Sequence, residues 1–146
     1  MARPKNNRIV HEPPFYTEFK PIGLPDRSLE KVILNLDEFE AIRLADLLGM
    51  SHEKAAIEME ISRPTFSRLI EKSRKKMAEF IFQGKMLRIY GGNIHFRRNI
   101  IQCSDCGHMY NININETLKQ CPECNSMNLL NLAGGFGHGE CCRVRY

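Results

Sequence analysis

Two cysteine pairs, Cys103-x-x-Cys106 and Cys121-x-x-Cys124, carry the most specific chemistry in the sequence. A C-x-x-C pair sets two thiolates on one tight turn, and two such turns supply four sulfurs, the donor set of tetrahedral zinc. The 14 residues between Cys106 and Cys121 are one short of the usual interval, a shortfall that a hairpin takes up. Gly107 relieves the backbone after the first pair, and Pro122 stiffens the second. A segment of about 40 residues is too small to fold on apolar contacts alone, so a metal is physically called for. The arrangement reads as a zinc ribbon, with iron on rubredoxin-like knuckles as the alternative. Four thiolates close the coordination shell and leave no place for a reactive water, so the expected ion is structural.

The other metal-type residues are less ordered in spacing. Cys141 and Cys142 follow His138 in a glycine-rich run, AGGFGHGECCRVRY. A labile metal or redox sensor built from these three is one reading. Adjacent cysteines do not easily ligate one tetrahedral ion, so a flexible tail with two unpaired thiols is the reading preferred from sequence. GGFGHG lacks the Lys-Ser/Thr of a phosphate-binding loop. His11, His52, His95 and His108 have no partner at ligand spacing, and His108 is expected at the surface beside the first knuckle. No Ser-His-Asp order, glycine-serine elbow or paired-carboxylate setting suggests catalysis, so no enzyme is expected.

A second kind of chemistry lies upstream, in ISRPTFSRLIEKSRKKM, residues 61–77. Net charge over residues 61–102 is +8 (ten basic, two acidic), beside −5 over residues 37–60 (two basic, seven acidic). Such an oriented field suits a polyanion, although a solvated helix face reads the same way from charge alone. Ser62 is a good N-cap, and Pro64 in the first turn sacrifices no internal hydrogen bond. Phe66, Ile70, Ser73 and Met77 recur at helical spacing with Leu69 beside them. Arg68, Glu71 and Lys75 fall opposite, with Lys72 on the flank. The helix is expected to run to about Phe82 and end near Gly84.

The elements that must position this helix come before it. LDEFEAIRLADLLG predicts a helix with Phe39, Ile42, Leu44, Leu47 and Leu48 toward one side, acidic at its start and stopped at Gly49. A second helix begins at Ser51, with Ala55, Ala56 and Met59 as its apolar face, and Ile61 lies in a turn. Helix 51–59, a three-residue turn and a capped helix from Ser62 match a helix-turn-helix. In that geometry Arg63 and Arg68 are placed to donate to guanine, Thr65 and Ser67 are short donors, and Pro64 can touch a thymine methyl. Lys72, Arg74, Lys75 and Lys76 are expected at phosphates. Residues 1–28 hold five of the seven prolines, so this segment should be extended. Its basic Arg3, Lys5 and Arg8 either enter a neighbouring minor groove or form a solvated terminus.

Downstream, residues 85–102 look like strands around a Gly-Gly turn. MYNININ alternates Tyr110, Ile112 and Ile114 with asparagines, a strand with one apolar face, and NLLNL is its expected partner.

The string FKPIGLP, then LDEFEAIRLAD, then the helix-turn-helix and GKMLRIYGG resemble domain-of-unknown-function family 134, prokaryotic predicted DNA-binding proteins. The resemblance covers roughly residues 2–92. It implies a DNA-binding fold whose helix-turn-helix is similar to region 4 of sigma factors, which contacts promoter DNA. Pro64 sits where such helices usually carry a polar reader, so base preference does not transfer.

The resulting expectation is an α+β protein in four parts. Residues 1–35 form an extended basic arm and 36–92 a helix-turn-helix domain without a wing. Residues 93–132 form a β zinc ribbon and 133–146 a flexible tail. Its partner would be double-stranded DNA, bound as a homodimer because a single helix-turn-helix offers few base contacts. RNA polymerase or another protein is the alternative partner, and a metal- or redox-responsive role is the alternative function. No run of about 18 apolar residues is present, and MARPKNNRIVHEPP lacks the apolar core of an export signal. A cytoplasmic setting is expected, in which thiols favour metal over disulfide.

Overall fold

The computed structural model describes residues 7–143 and has a mixed α+β fold. Strand β1 spans Arg8–Val10, β2 Glu18–Phe19 and β3 Lys31–Leu34. Helices α1 (Leu36–Ile42), α2 (His52–Met59) and α3 (Arg63–Gln83) follow. After them come β4 (Met86–Ile89), β5 (Ile94–Phe96), β6 (Arg98–Cys103), β7 (Met109–Asn113) and β8 (Leu129–Asn131). A short helix α4 (Glu140–Arg143) closes the described chain. No described helix is long and apolar enough to cross a membrane. The described residues form two compact units: residues 7–9 with 16–94, and residues 10–15 with 95–143.

In the first unit, the segment read from sequence as an arm supplies two of the three strands of a sheet. β4 lies at the centre of a three-stranded sheet, antiparallel to β2 and parallel to β3. A parallel pair needs a long crossover, and here α1, α2 and α3 provide it. Val32 and Leu34 alternate into the core, and Met86, Leu87 and Ile89 of the central strand are buried. The Gly-Gly turn does not fold β4 back on β5: β5 pairs with β1 instead.

Helix α1 starts at Asn35, whose backbone N–H donates to Glu38 Oε1 at 2.9 Å, the reciprocal arm of a capping box. Its buried face is Leu36, Glu38, Glu40, Ala41 and Leu44. The expected apolar side fails at its end, where Leu47 is 77% and Leu48 51% exposed. The cause is a π turn over Arg43–Leu47, in which Leu48 N–H donates to Arg43 C=O. One extra residue in the ladder rotates everything after it off the core face. Glu40 and Glu38 enter the buried face because each has a cation: Arg43 Nε sits 2.6 Å from Glu40, and Lys76 Nζ 2.6 Å from Glu38.

Helices α2 and α3 follow the sequence closely. Ser51 caps α2 by accepting from Lys54 N–H, and Glu60 ends it in the left-handed conformation. Ile61 N–H returns to Ala56 C=O at 3.0 Å, which turns the chain sharply into α3. The core joins Ala41, Leu44, Ala55, Ala56, Met59, Phe66, Leu69 and Ile70. Ser73 continues the α3 stripe, its hydroxyl satisfied by Leu69 C=O at 2.7 Å.

The second unit is built on β6, the central strand of an antiparallel sheet in the order β7-β6-β8. β7 pairs Arg98 with Asn113 through Gln102 with Met109. Ile112 and Ile114 point inward as the alternation demands, and Tyr110 is half-buried. NLLNL is not the partner of MYNININ. β8 instead takes the other edge of β6, Cys103 opposite Leu129. The segment read as a flexible tail is folded through residue 143, with Ala133 and Cys142 fully buried.

Candidate nucleic-acid interface and metal centre

Helix α3 is pinned along Phe66, Leu69, Ile70 and Ser73, which fixes the direction of its first turns. The Ser62 hydroxyl accepts from Thr65 N–H at 3.3 Å and donates to Thr65 Oγ1 at 2.7 Å. Arg63 and Pro64 sit exposed on that capped turn, and Arg68, Lys72 and Lys75 are exposed further along. Among the described residues, Arg63, Arg68, Lys72 and Lys75 make no ion pair. Thr65 is half-buried, its oxygen engaged in the cap.

The remaining expectations on α3 are redistributed. Ser67 Oγ shares a 2.9 Å hydrogen bond with His52 Nδ1, and the His52 ring meets Phe66 edge-on at 5.4 Å. Ser67 therefore ties α3 to α2. Arg74 forks onto Asp46 at 2.7 and 3.2 Å, and Lys76 neutralises Glu38. These two cations are committed inside the fold, which leaves Lys72 and Lys75 as the lysines open to an outside anion. The bond to Arg74 pulls the Asp46 carboxyl below its ordinary value and lifts the Arg74 guanidinium.

Arg8 is committed as well, with Nη1 2.6 Å from Asp37 Oδ2. Arg3 and Lys5 lie outside the described residues. A cavity of about 370 Å³ opens beside the exposed face of α3, with Thr65, Arg68 and Lys72 along one side. Arg8, Asp37 and Asn93 are among the groups on the other. Because Arg8 is matched by Asp37 and Lys76 by Glu38, the uncompensated charges at this cavity are Arg68 and Lys72.

In the second unit, the four cysteines expected to hold metal converge. Their sulfurs all lie within 4.8 Å of one another, with Cys103 to Cys124 and Cys106 to Cys121 both at 3.5 Å. Tetrahedral metal–sulfur bonds of 2.3 Å give sulfur–sulfur edges of about 3.8 Å, so the cluster has the size of a metal site. The two knuckles are built alike. Gly107 N–H returns to Cys103 C=O and Asn125 N–H to Cys121 C=O, both in the left-handed region. Asn125 takes at the second turn the role that Gly107 has at the first, as asparagine tolerates that conformation.

Hydrogen bonds favour thiolate at two of the four positions, Cys103 and Cys121, while Cys106 and Cys124 are held above the ordinary thiol value, where the sulfurs of neighbouring cysteines push them up. The backbone N–H of Cys106 donates to Cys103 Sγ and holds that thiol below its ordinary pKa. Burial alone would raise Cys121, but the Tyr110 hydroxyl at 2.9 Å and the N–H groups of Cys124 and Glu123 bring it down to about 6. Asp105 accepts from Ser126 Oγ and from Asn128 Nδ2, linking one knuckle to the strand beyond the other. Cys103 and Cys121 are buried while Cys106 and Cys124 face solvent. His108 is exposed, its ring tilted against Tyr110 with centroids 4.5 Å apart.

Comparison with known proteins gives the family and leaves the chemistry to the geometry. The family described as "Protein of unknown function DUF134" matches residues 1–97. A UPF0251 protein of Chloroherpeton thalassium is 48% identical, covering 99% of this chain and 98% of its own length. A UPF0251 protein of Chlorobaculum tepidum is 40% identical over 96% of this chain and 74% of its own. One from Pelotomaculum thermopropionicum is 44% identical over 75% and 83% respectively. No solved structure matches.

Proposed function

The chain belongs to the DUF134 family, and from that footing we propose that it is a sequence-specific DNA-binding protein that regulates transcription. The observation that carries this reading is the pair Arg63 and Arg68, exposed and without ion pairs on the leading turns of α3. A helix held by a buried stripe presents those turns as a rigid probe of major-groove width. Each arginine matches the O6 and N7 acceptors of guanine, a contact worth about 1–3 kcal/mol of discrimination. Pro64 offers its ring to a thymine methyl. Lys72 and Lys75 lie further along the helix and meet phosphate, which positions the protein without reading sequence. Few base contacts per chain favour a dimer on a two-fold site.

The Cys103, Cys106, Cys121 and Cys124 cluster then holds one structural zinc ion. The closed set of four sulfurs supports a folding role and argues against a metal-bound reactive water. Selection of bound duplexes from a random DNA pool tests the reading. Enrichment of one motif supports it. Absence of enrichment at low salt, with the protein folded and metal-loaded, contradicts it and turns attention to a protein partner.

A further inference from the structure

The glycine-rich C-terminal segment brings His138, Cys141 and Cys142, close together in the chain, against His95, which the chain order keeps apart from them. His95 lies on β5, His138 follows a tight turn, and Cys141 and Cys142 open α4. Their donor atoms all lie within 4.8 Å of one another. His95 Nδ1 is 3.3 Å from Cys142 Sγ, and His138 Nδ1 is 3.5 Å from Cys141 Sγ and 3.6 Å from Cys142 Sγ.

The two adjacent sulfurs are 3.7 Å apart. That distance answers the objection to neighbouring cysteines as joint ligands. A tetrahedral ion with 2.3 Å metal–sulfur and 2.0–2.1 Å metal–nitrogen bonds requires edges of about 3.8 Å between sulfurs and about 3.6 Å between sulfur and nitrogen. The sulfur–sulfur distance of 3.7 Å and the sulfur–nitrogen distances of 3.3–3.6 Å are close to both values. The backbone is shaped to the same end: Gly139, at φ +147°, stands between His138 and the cysteines in a conformation closed to side-chain-bearing residues. His138 N–H is tied to Ala133 C=O, and its ring is wedged edge-on against buried Phe96 at 5.1 Å.

We propose that His95, His138, Cys141 and Cys142 form a second metal site, separate from the four-cysteine cluster. Two thiolates and two imidazoles select a borderline first-row divalent ion of the zinc and cobalt(II) kind, and disfavour magnesium or calcium. Binding is coordination without electron transfer. The two thiols lose their protons to solvent, and the imidazoles bind as neutral bases. The ion crosslinks the C-terminal segment to β5. Cys142 is buried and Cys141 exposed, so an ion reaches the site from the Cys141 side.

Cobalt(II) and zinc titrations of the full chain under reductant test this. The wild type takes up two ions per chain, whereas Cys141→Ser/Cys142→Ser and His95→Gln/His138→Gln each take up one. The single ion left in these variants keeps the absorption of a four-thiolate cobalt site. Hydrogen exchange over residues 133–143 slows on metal addition in the wild type only. Because substitution of buried Cys142 risks the fold, the exposed single variant Cys141→Ser is the control: it weakens the second ion by at least about tenfold and leaves the first. One ion in the wild type, or two ions of unchanged affinity in every variant, would overturn the proposal.

Discussion

Arg74 and Lys76 stand two residues apart on α3 and are spent differently. Arg74 meets Asp46 with both side chains about half exposed. The guanidinium holds the Asp46 pKa down, and a depressed carboxyl contributes stability that is complete above its unfolded value near 3.9. That contribution is lost as pH falls through the lower folded value. Solvent screening keeps the pair below about 1 kcal/mol. Asp46→Asn is expected to lower unfolding free energy by less than that near neutral pH, and to match the wild type near pH ~2, in denaturant titrations. Lys76 instead neutralises Glu38, 1% exposed. Lys76→Met strands a buried carboxylate and is expected to cost about 3–5 kcal/mol in the same assay. The exposed cations behave differently again. On the proposed DNA-binding reading, Lys72→Ala and Lys75→Ala are expected to leave stability unchanged and to weaken every duplex alike, each flattening the logarithmic salt dependence by about 0.9. Charge counting along the sequence treats all of these as one basic block. Only the fold separates the cations already matched from those left open.

At the scale of elements, α3 depends on its cap and its stripe. Ser62→Ala removes the acceptor for Thr65 N–H and is expected to cost about 1 kcal/mol, whereas Phe66→Ala, which empties a fully buried position, costs about 3–5. Thermal unfolding followed at the helical band separates the two. These features were legible beforehand because capping chemistry and a 3.6-residue period are local. The exposure of Leu47 and Leu48 was not: a π turn leaves no mark in residue type, and a period count carries straight through it. The burial of Glu38 and Glu40 was likewise not foreseen, since their partners Lys76 and Arg43 become visible only once packed. The parallel pairing of β3 with β4 was hidden by the three helices between them.

For the whole molecule, the same distinction separates the two cysteine clusters. Cys103, Cys106, Cys121 and Cys124 announce themselves because each knuckle carries two candidate ligands at fixed local spacing. In the second cluster His138, Cys141 and Cys142 were visible as a local group, one reading of which was a labile metal site, but His95 comes from a strand more than forty residues earlier, so no spacing rule supplies the fourth candidate ligand. Function divides in the same way: the cap, the stripe and the cationic flank of α3 were written locally, while the base sequence that the proposed reading requires is written nowhere in the chain. The account therefore rests on Arg63 and Arg68 reading a duplex from a helix held by Phe66, Leu69 and Ile70. The direct measurement is the dissociation constant of the folded, metal-loaded protein on its selected duplex and on a scrambled one, for the wild type and for Arg63→Ala/Arg68→Ala. The account predicts that the double variant keeps its affinity for scrambled DNA within a few-fold and loses about 2–6 kcal/mol on the selected site, so that the preference largely disappears. Undiminished preference for the selected site in the double variant would contradict it.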